Sequence, residues 1–248
     1  GSILVLNGQY YLARQYFEKA IFYHPNHADS LCKLAVVTLM QNNPQESIHL
    51  IRQALSLTTK ENVNPIYCTL LFTLFYDETI TPEIVRAEAK KWGQPLEEEI
   101  AEFAYTYHLN SKEPHRKIKL GYLSPDFKDH PGKHILNTFL SECNSNDFEI
   151  YCYYSGQQFD TWTTHFKNQV KHWQDVHSMS DLQVAKRIYE DQVDILVDPG
   201  AGHTAENRLP VFSYRSAPIQ VTLYLYYLGL RSVPFRINDA YLEPIISE

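Results

Sequence analysis

Four residue pairs set 34 positions apart constrain this chain more than any single motif does. Gly8 and Asn42, Ala13 and Ser47, Phe17 and Ile51, and Ala20 and Ala54 keep one register. Such a period fits a pair of helices per repeat, because one unit cannot bury its apolar face alone and must stack on its neighbours. Ala13, Phe17 and Ala20 share one helical face. The small residues let a paired helix approach, and the large one fills the gap. Pro25 falls just past this helix, where a stop is needed.

The period is that of the tetratricopeptide repeat. The next unit runs through Leu31, Leu34 and Ala35 to Asn43-Pro44-Gln45-Glu46. There Asn43 can cap, Pro44 suits the first helical position and Glu46 can reach back to the cap. Residues 1–59 therefore read as TPR-like helical repeats, with a plain helical hairpin as the alternative. Fewer than about three repeats rarely stand alone, so this array is expected to continue upstream or to lean on the residues C-terminal to it. Residues 60–113 read as a helical connector. Asn64-Pro65 opens a helix over 64–76, and Thr81-Pro82-Glu83 opens another that Gly93 and Pro95 should end. Residues 96–108 can form one more, and the polar stretch Asn110-Ser111-Lys112-Glu113-Pro114 is the linker candidate.

At Lys117 the pattern changes. Strand-like runs at 118–123, 148–153, 193–197 and 219–222 alternate with helical stretches at 134–143 and after the capping box Ser180-Asp181-Leu182-Gln183. Six of the nine glycines lie beyond residue 116, so turns concentrate here. Strands separated by helices imply right-handed crossovers and a mostly parallel sheet, which makes residues 114–248 an α/β lobe. Such sheets bind ligands beyond the carboxyl ends of their strands. The loops of interest are then 124–134 and 198–207.

The first of these loops spaces Asp126, His130 and His134 by four. Three readings stay open: a metal site, a general base titrating near neutrality, or a histidine that merely caps the next helix. Pro131 and Gly132 weaken the metal reading, since they interrupt a helix through both histidines. The second loop carries Gly200 and Gly202 with Asp198, His203, Thr204 and Asn207, which could hydrogen-bond a hydroxyl-rich ligand or simply form an eased turn. The run Tyr224-Leu225-Tyr226-Tyr227-Leu228 suits strand packing better than stacking on a ligand. No dinucleotide fingerprint, phosphate-binding Walker loop, HExxH or nucleophile elbow occurs.

Composition narrows the classes. The net charge is −7, so no basic excess exists to neutralise phosphates, and no nucleic-acid partner is expected. No apolar run reaches the roughly 18 residues of a membrane helix. Four cysteines without CxxC spacing suit reduced thiols, and a cytoplasmic location is the expectation.

Several stretches, in order, resemble the O-GlcNAc transferase (SPINDLY-like) family of glycosyltransferases. They are the 34-residue repeats, Leu71-Phe72-x2-Phe75-Tyr76-Asp77, and Leu120-Gly121-Tyr122-Leu123-Ser124-Pro125-Asp126-Phe127-x2-His130-Pro131. Further along come Phe148–Tyr153, Asp194–Asp198, Gly202-His203-Thr204-x2-Asn207-Arg208-Leu209 and Ala217-Pro218-Ile219-Gln220-Val221. The resemblance implies a fold of α plus α/β type: TPR-like repeats, then a Rossmann-like lobe forming the first half of a two-lobed GT-B enzyme. It implies transfer of a sugar from a UDP-sugar to protein Ser or Thr, with no cofactor and no metal. His130 matches the family's proposed catalytic histidine, which either helps deprotonate the acceptor hydroxyl or orients acceptor and donor. Asp126, His134, Asp198, His203, Thr204 and Asn207 are the expected substrate-binding residues. Acceptor proteins would be recruited along the repeat groove.

Three positions depart from the family pattern. Its Gly-Tyr-Pro-Gly segment is replaced by Leu225-Tyr226-Tyr227-Leu228-Gly229-Leu230-Arg231-Ser232. The loop before His203 is one residue longer, and Asp194 stands where animal members carry a second histidine. The second, donor-binding lobe is expected to lie outside these 248 residues. These points keep an alternative in view, a non-catalytic TPR scaffold with a degenerate glycosyltransferase lobe.

Overall fold

A computed structural model describes residues 1–59, 63–200, 207–223 and 227–238. The chain forms two compact units, Gly1–Glu88 and Ala89–Glu248.

The first unit is helical: α1 (Ser2–Leu6), α2 (Tyr10–Tyr23), α3 (Ala28–Met40), α4 (Pro44–Leu57) and α5 (Val63–Leu74) pack in chain order. The 34-residue register is visible in the backbone itself. Gly8 and Asn42 both adopt left-handed φ, at 70° and 61°. The Gly8 N–H donates to Val5 O and the Asn42 N–H to Leu39 O, at 3.0 and 2.8 Å. The next amides, Gln9 and Asn43, donate five residues back to Leu4 O and Thr38 O. This is the same helix-ending Schellman arrangement twice, one register apart. Ala13, Phe17, Ser47, Ile51 and Ala54 are buried, as their shared face requires. Buried Ser47 donates its hydroxyl to Ala35 O at 2.7 Å, which removes the cost of a polar group there. Asn43 caps α4 by accepting from the Glu46 amide.

The second unit is a six-stranded, all-parallel sheet in the order β3-β2-β1-β4-β5-β6. Its strands are β1 (Ile118–Ser124), β2 (Phe148–Tyr154), β3 (His172–Asp175), β4 (Ile195–Asp198), β5 (Ile219–Leu223) and β6 (Phe235–Ile237). Between them lie α7 (Lys133–Ser141), α8 (Thr161–Gln169), α9 (Asp181–Glu190) and α10 (Leu209–Ser213). The order reverses between β1 and β4, the switch point where open α/β sheets leave a crevice. The core joins Tyr122, Phe127, Leu136, Leu140, Cys152, Tyr154, Phe166, Val197, Val221 and Leu223.

One helix differs from expectation. α6 (Pro82–Ile100) runs through both Gly93 and Pro95, and residues 104–116 carry no helix. Tertiary contacts outweigh the local stop signals. A Cβ on Gly93 would lie 2.5 Å from Gly229 O, so glycine is what lets α6 meet the 228–232 turn. Glu97, one turn on, accepts from the Arg231 and Ser232 amides at 2.9 and 2.6 Å. Beyond the helix, Tyr105 stacks on Tyr189 at 3.8 Å and its amide donates to Tyr214 O, which holds the segment extended. Asn110 and Arg116 are likewise tied to the sheet: both donate to the Asp194 carboxylate, which also accepts the Lys119 amide at 2.8 Å.

Candidate active site

β1 delivers the first loop to the carboxyl edge. Its last residues are buried, and the Ser124 hydroxyl accepts the Asp126 amide at 3.1 Å. Phe127 then anchors the loop, fully buried against Phe166, Trp173 and Tyr154 with ring centroids 5.4–6.4 Å apart. With Phe127 locked, Asp126 is buried at 4% exposure. His130 Nδ1 lies 3.8 Å from Asp126 Oδ1 and accepts the Gly132 amide at 3.2 Å. The ring stays partly open to solvent at 28% side-chain exposure.

β4 ends on Asp198, paired in register with Thr222 of β5. The Thr222 hydroxyl donates to Asp198 Oδ2 at 3.1 Å and the Gly200 amide to Oδ1 at 3.2 Å. Burial pushes the Asp198 carboxyl up to about 7, the nearby charge of Asp126 adds to the rise, and these two hydrogen bonds oppose it. The β1 and β4 termini thus set two acidic side chains beside one another, one carrying the histidine.

Of the other expected residues, His134 sits on the first turn of α7, exposed, with its ring 5.9 Å from Trp162. Asn207 is buried and its side-chain oxygen accepts the Leu209 amide, so it opens α10. His203 and Thr204 lie outside the described residues, as do Tyr224, Leu225 and Tyr226 of the tyrosine run. The Asp126–His130–His134 spacing does not lie on one helix, because α7 begins only at Lys133. Among the described residues no group of three or more His, Cys, Asp or Glu side chains could hold a metal ion. Thr222 was not singled out by sequence; its signal is strand register, which becomes readable only once β4 and β5 are paired. Asp194 lies at the amino end of β4, opposite this edge, where it serves Arg116 and Asn110.

The fold is an open parallel α/β lobe with polar side chains gathered at its carboxyl edge, and comparison with known proteins places it further. The chain belongs to glycosyl transferase family 41, whose model matches residues 80–245. A probable UDP-N-acetylglucosamine–peptide N-acetylglucosaminyltransferase SPINDLY from Solanum lycopersicum is 34% identical over 146 residues, covering 56% of this chain and 16% of that protein. Its counterpart in Oryza sativa subsp. japonica is 31% identical over 181 residues, 71% of this chain and 19% of that one. A Caenorhabditis elegans UDP-N-acetylglucosamine–peptide N-acetylglucosaminyltransferase is 27% identical over 135 residues, 52% and 12% respectively. The chain spans under one fifth of the length of these relatives. A solved Thermobaculum terrenum O-GlcNAc transferase mutant shares the fold, with a TM-score of 0.83 over 95% of this chain and 45% of that one at 24% identity.

Proposed function

We propose that this chain forms the acceptor-side lobe of a protein glycosyltransferase that moves a sugar from a UDP-sugar to a Ser or Thr hydroxyl. The observation that carries it is His130 beside buried Asp126 at the sheet's switch point, in a chain of glycosyl transferase family 41. In the reaction, the acceptor oxygen bonds to the anomeric carbon while the bond from that carbon to the diphosphate oxygen breaks. UDP leaves with the electron pair, and the hydroxyl proton must be taken up.

His130 can serve this in two ways. With Nδ1 accepting from Gly132, the ring proton sits on Nε2, which donates to and orients a substrate oxygen. With Nδ1 protonated toward Asp126, Nε2 is free to take the acceptor proton, and Asp126 steadies the imidazolium that forms. Asp198, His203, Thr204 and Asn207 would complete the acceptor-side lining. In this reading no metal or cofactor takes part, a second lobe of the kind seen in the family holds the nucleotide, and the helical unit recruits acceptor proteins. No helix among the described residues is long and apolar enough to cross a membrane; in this reading the enzyme acts in the cytoplasm.

The test is transfer of labelled sugar from UDP-GlcNAc and other UDP-sugars to Ser/Thr peptides by the full-length gene product, with EDTA present. Labelled peptide that forms undiminished in EDTA supports the proposal. No transfer from any UDP-sugar, together with repeat-unit pull-downs that keep their partners, favours the scaffold alternative.

A further inference from the structure

The departure from the family pattern at 225–232 builds something rather than leaving a gap. Its described part, Tyr227–Ser232, is seated on α6. Gly229 has φ +73°, and a Cβ there would lie 2.1 Å from Ala89 O. Ala89, Gly93 and Glu97, spaced by four, form the α6 stripe that receives this turn. The adjacent stripe, Lys90 and Gln94, is left facing a cavity of 240 Å³. Thr222 lines the same cavity, so it lies beside the Asp198 end of the site.

The lining has a consistent chemistry. Leu228, Leu230 and Phe235 supply apolar walls, and three cations face in: Lys90, Arg231 and Arg236. Arg231 is committed to Glu97 and Glu98. Arg236 lies over the Tyr227 ring at 4.3 Å and donates to its hydroxyl. Exposed Lys90 has no hydrogen bond or ion pair among the described residues. A short apolar stem ending in a carboxylate matches such walls and cations. The volume is below the roughly 300 Å³ at which small-molecule pockets begin, and suits one side chain better than a nucleotide.

Position gives the register. Neighbouring strands lie about 4.8 Å apart, and β1 is separated from the β5–β6 edge by two to three such steps, about 10–14 Å. An extended peptide advances about 3.3 Å per residue, so about three or four residues cover that span.

We infer that the cavity beside Lys90, Tyr227 and Arg236 seats an acidic side chain of the acceptor peptide, three or four residues from the hydroxyl at His130. This rests on the proposed acceptor role of the sheet edge and adds a sequence preference to it.

Fluorescence anisotropy on this chain tests it without turnover. The probes are labelled Ser peptides with Glu at the fourth position before or after the Ser, their Gln counterparts, and inorganic pyrophosphate as competitor. One Glu peptide should bind about three- to fivefold tighter than its Gln counterpart, the range of a part-exposed ion pair. Lys90→Glu, on an exposed helix face and checked by thermal melting, should abolish or reverse that preference. Equal binding of Glu and Gln peptides, a preference that survives Lys90→Glu, or no peptide binding at millimolar concentration overturns the inference. So does pyrophosphate binding that Lys90→Glu weakens while the peptides bind alike, since the anion would then belong to the donor. Loss of transfer with the Glu preference intact would instead count against the proposed reaction.

Discussion

His130 Nδ1 sits between the Gly132 amide at 3.2 Å and Asp126 Oδ1 at 3.8 Å, and the ring's protonation decides which partner is used. The longer contact is beyond hydrogen-bond range, so the unliganded ring rests on Gly132. Asp198 offers the clearer test at this scale. Its folded carboxyl holds a proton up to about pH 7, whereas the unfolded one releases it near its ordinary value of about 3.9. Between those values the unfolded state is the more ionised, so rising pH removes stability through this residue. Asp198→Asn keeps an oxygen for the Gly200 amide, sets its NH2 where the Thr222 hydroxyl can accept, and cannot ionise. Its melting temperature relative to wild type should climb between about pH 4 and 7. A difference that stays flat with pH would show that Asp198 is not held protonated. Asp194 has the opposite sign. Burial opposes its charge, but the bonds from Arg116, Lys119 N–H and Asn110 prevail and hold its carboxyl below the usual range. Its contribution is present above the unfolded value and lost as pH falls. Asp194→Ala should cost about 2–3 kcal/mol in urea unfolding at pH 7, shrinking toward pH 3.

At the scale of elements, α6 is the most instructive. Gly93 and Pro95 are strong local stops, yet the helix continues because the 228–232 turn is built to fit it. Gly229→Ala, which adds a Cβ 2.1 Å from Ala89 O at a left-handed φ, should cost about 3 kcal/mol in chemical denaturation. A loss under about 0.5 kcal/mol would mean that the turn is not clamped on α6. Much of the remainder was legible in the amino acids. The Ser180–Gln183 capping box and the Asn43-Pro44 start mark real helix entries, whereas Asn64 lies inside α5, which already runs from Val63; β1, β2 and β5 match their apolar runs. β3 and β6 escaped because His172–Asp175 is short and polar and Phe235–Ile237 spans three residues. The Asp126–His130 pair was legible as a motif. Its dependence on Phe127, and the pairing of Asp198 with Thr222, were not, since both arise from packing and strand register rather than spacing.

At the scale of the whole molecule, the chain forms two units of different architecture. The repeat register builds a helical unit with stacked faces, and the parallel sheet brings its polar residues to one edge. This acidic chain of net charge −7 nevertheless lines one cavity with Lys90 and Arg236, which under the proposed acceptor role would favour acidic acceptor segments. Under the proposed function, the edge at His130 handles an acceptor hydroxyl. The most direct measurement is the sugar-transfer rate of the full-length gene product with His130→Ala beside wild type, both shown by thermal melting to be equally folded. Turnover should fall by about 10²–10⁴ in the variant, the usual worth of a positioned acid–base group. Turnover equal to wild type in a folded His130→Ala protein would remove His130 from the reaction.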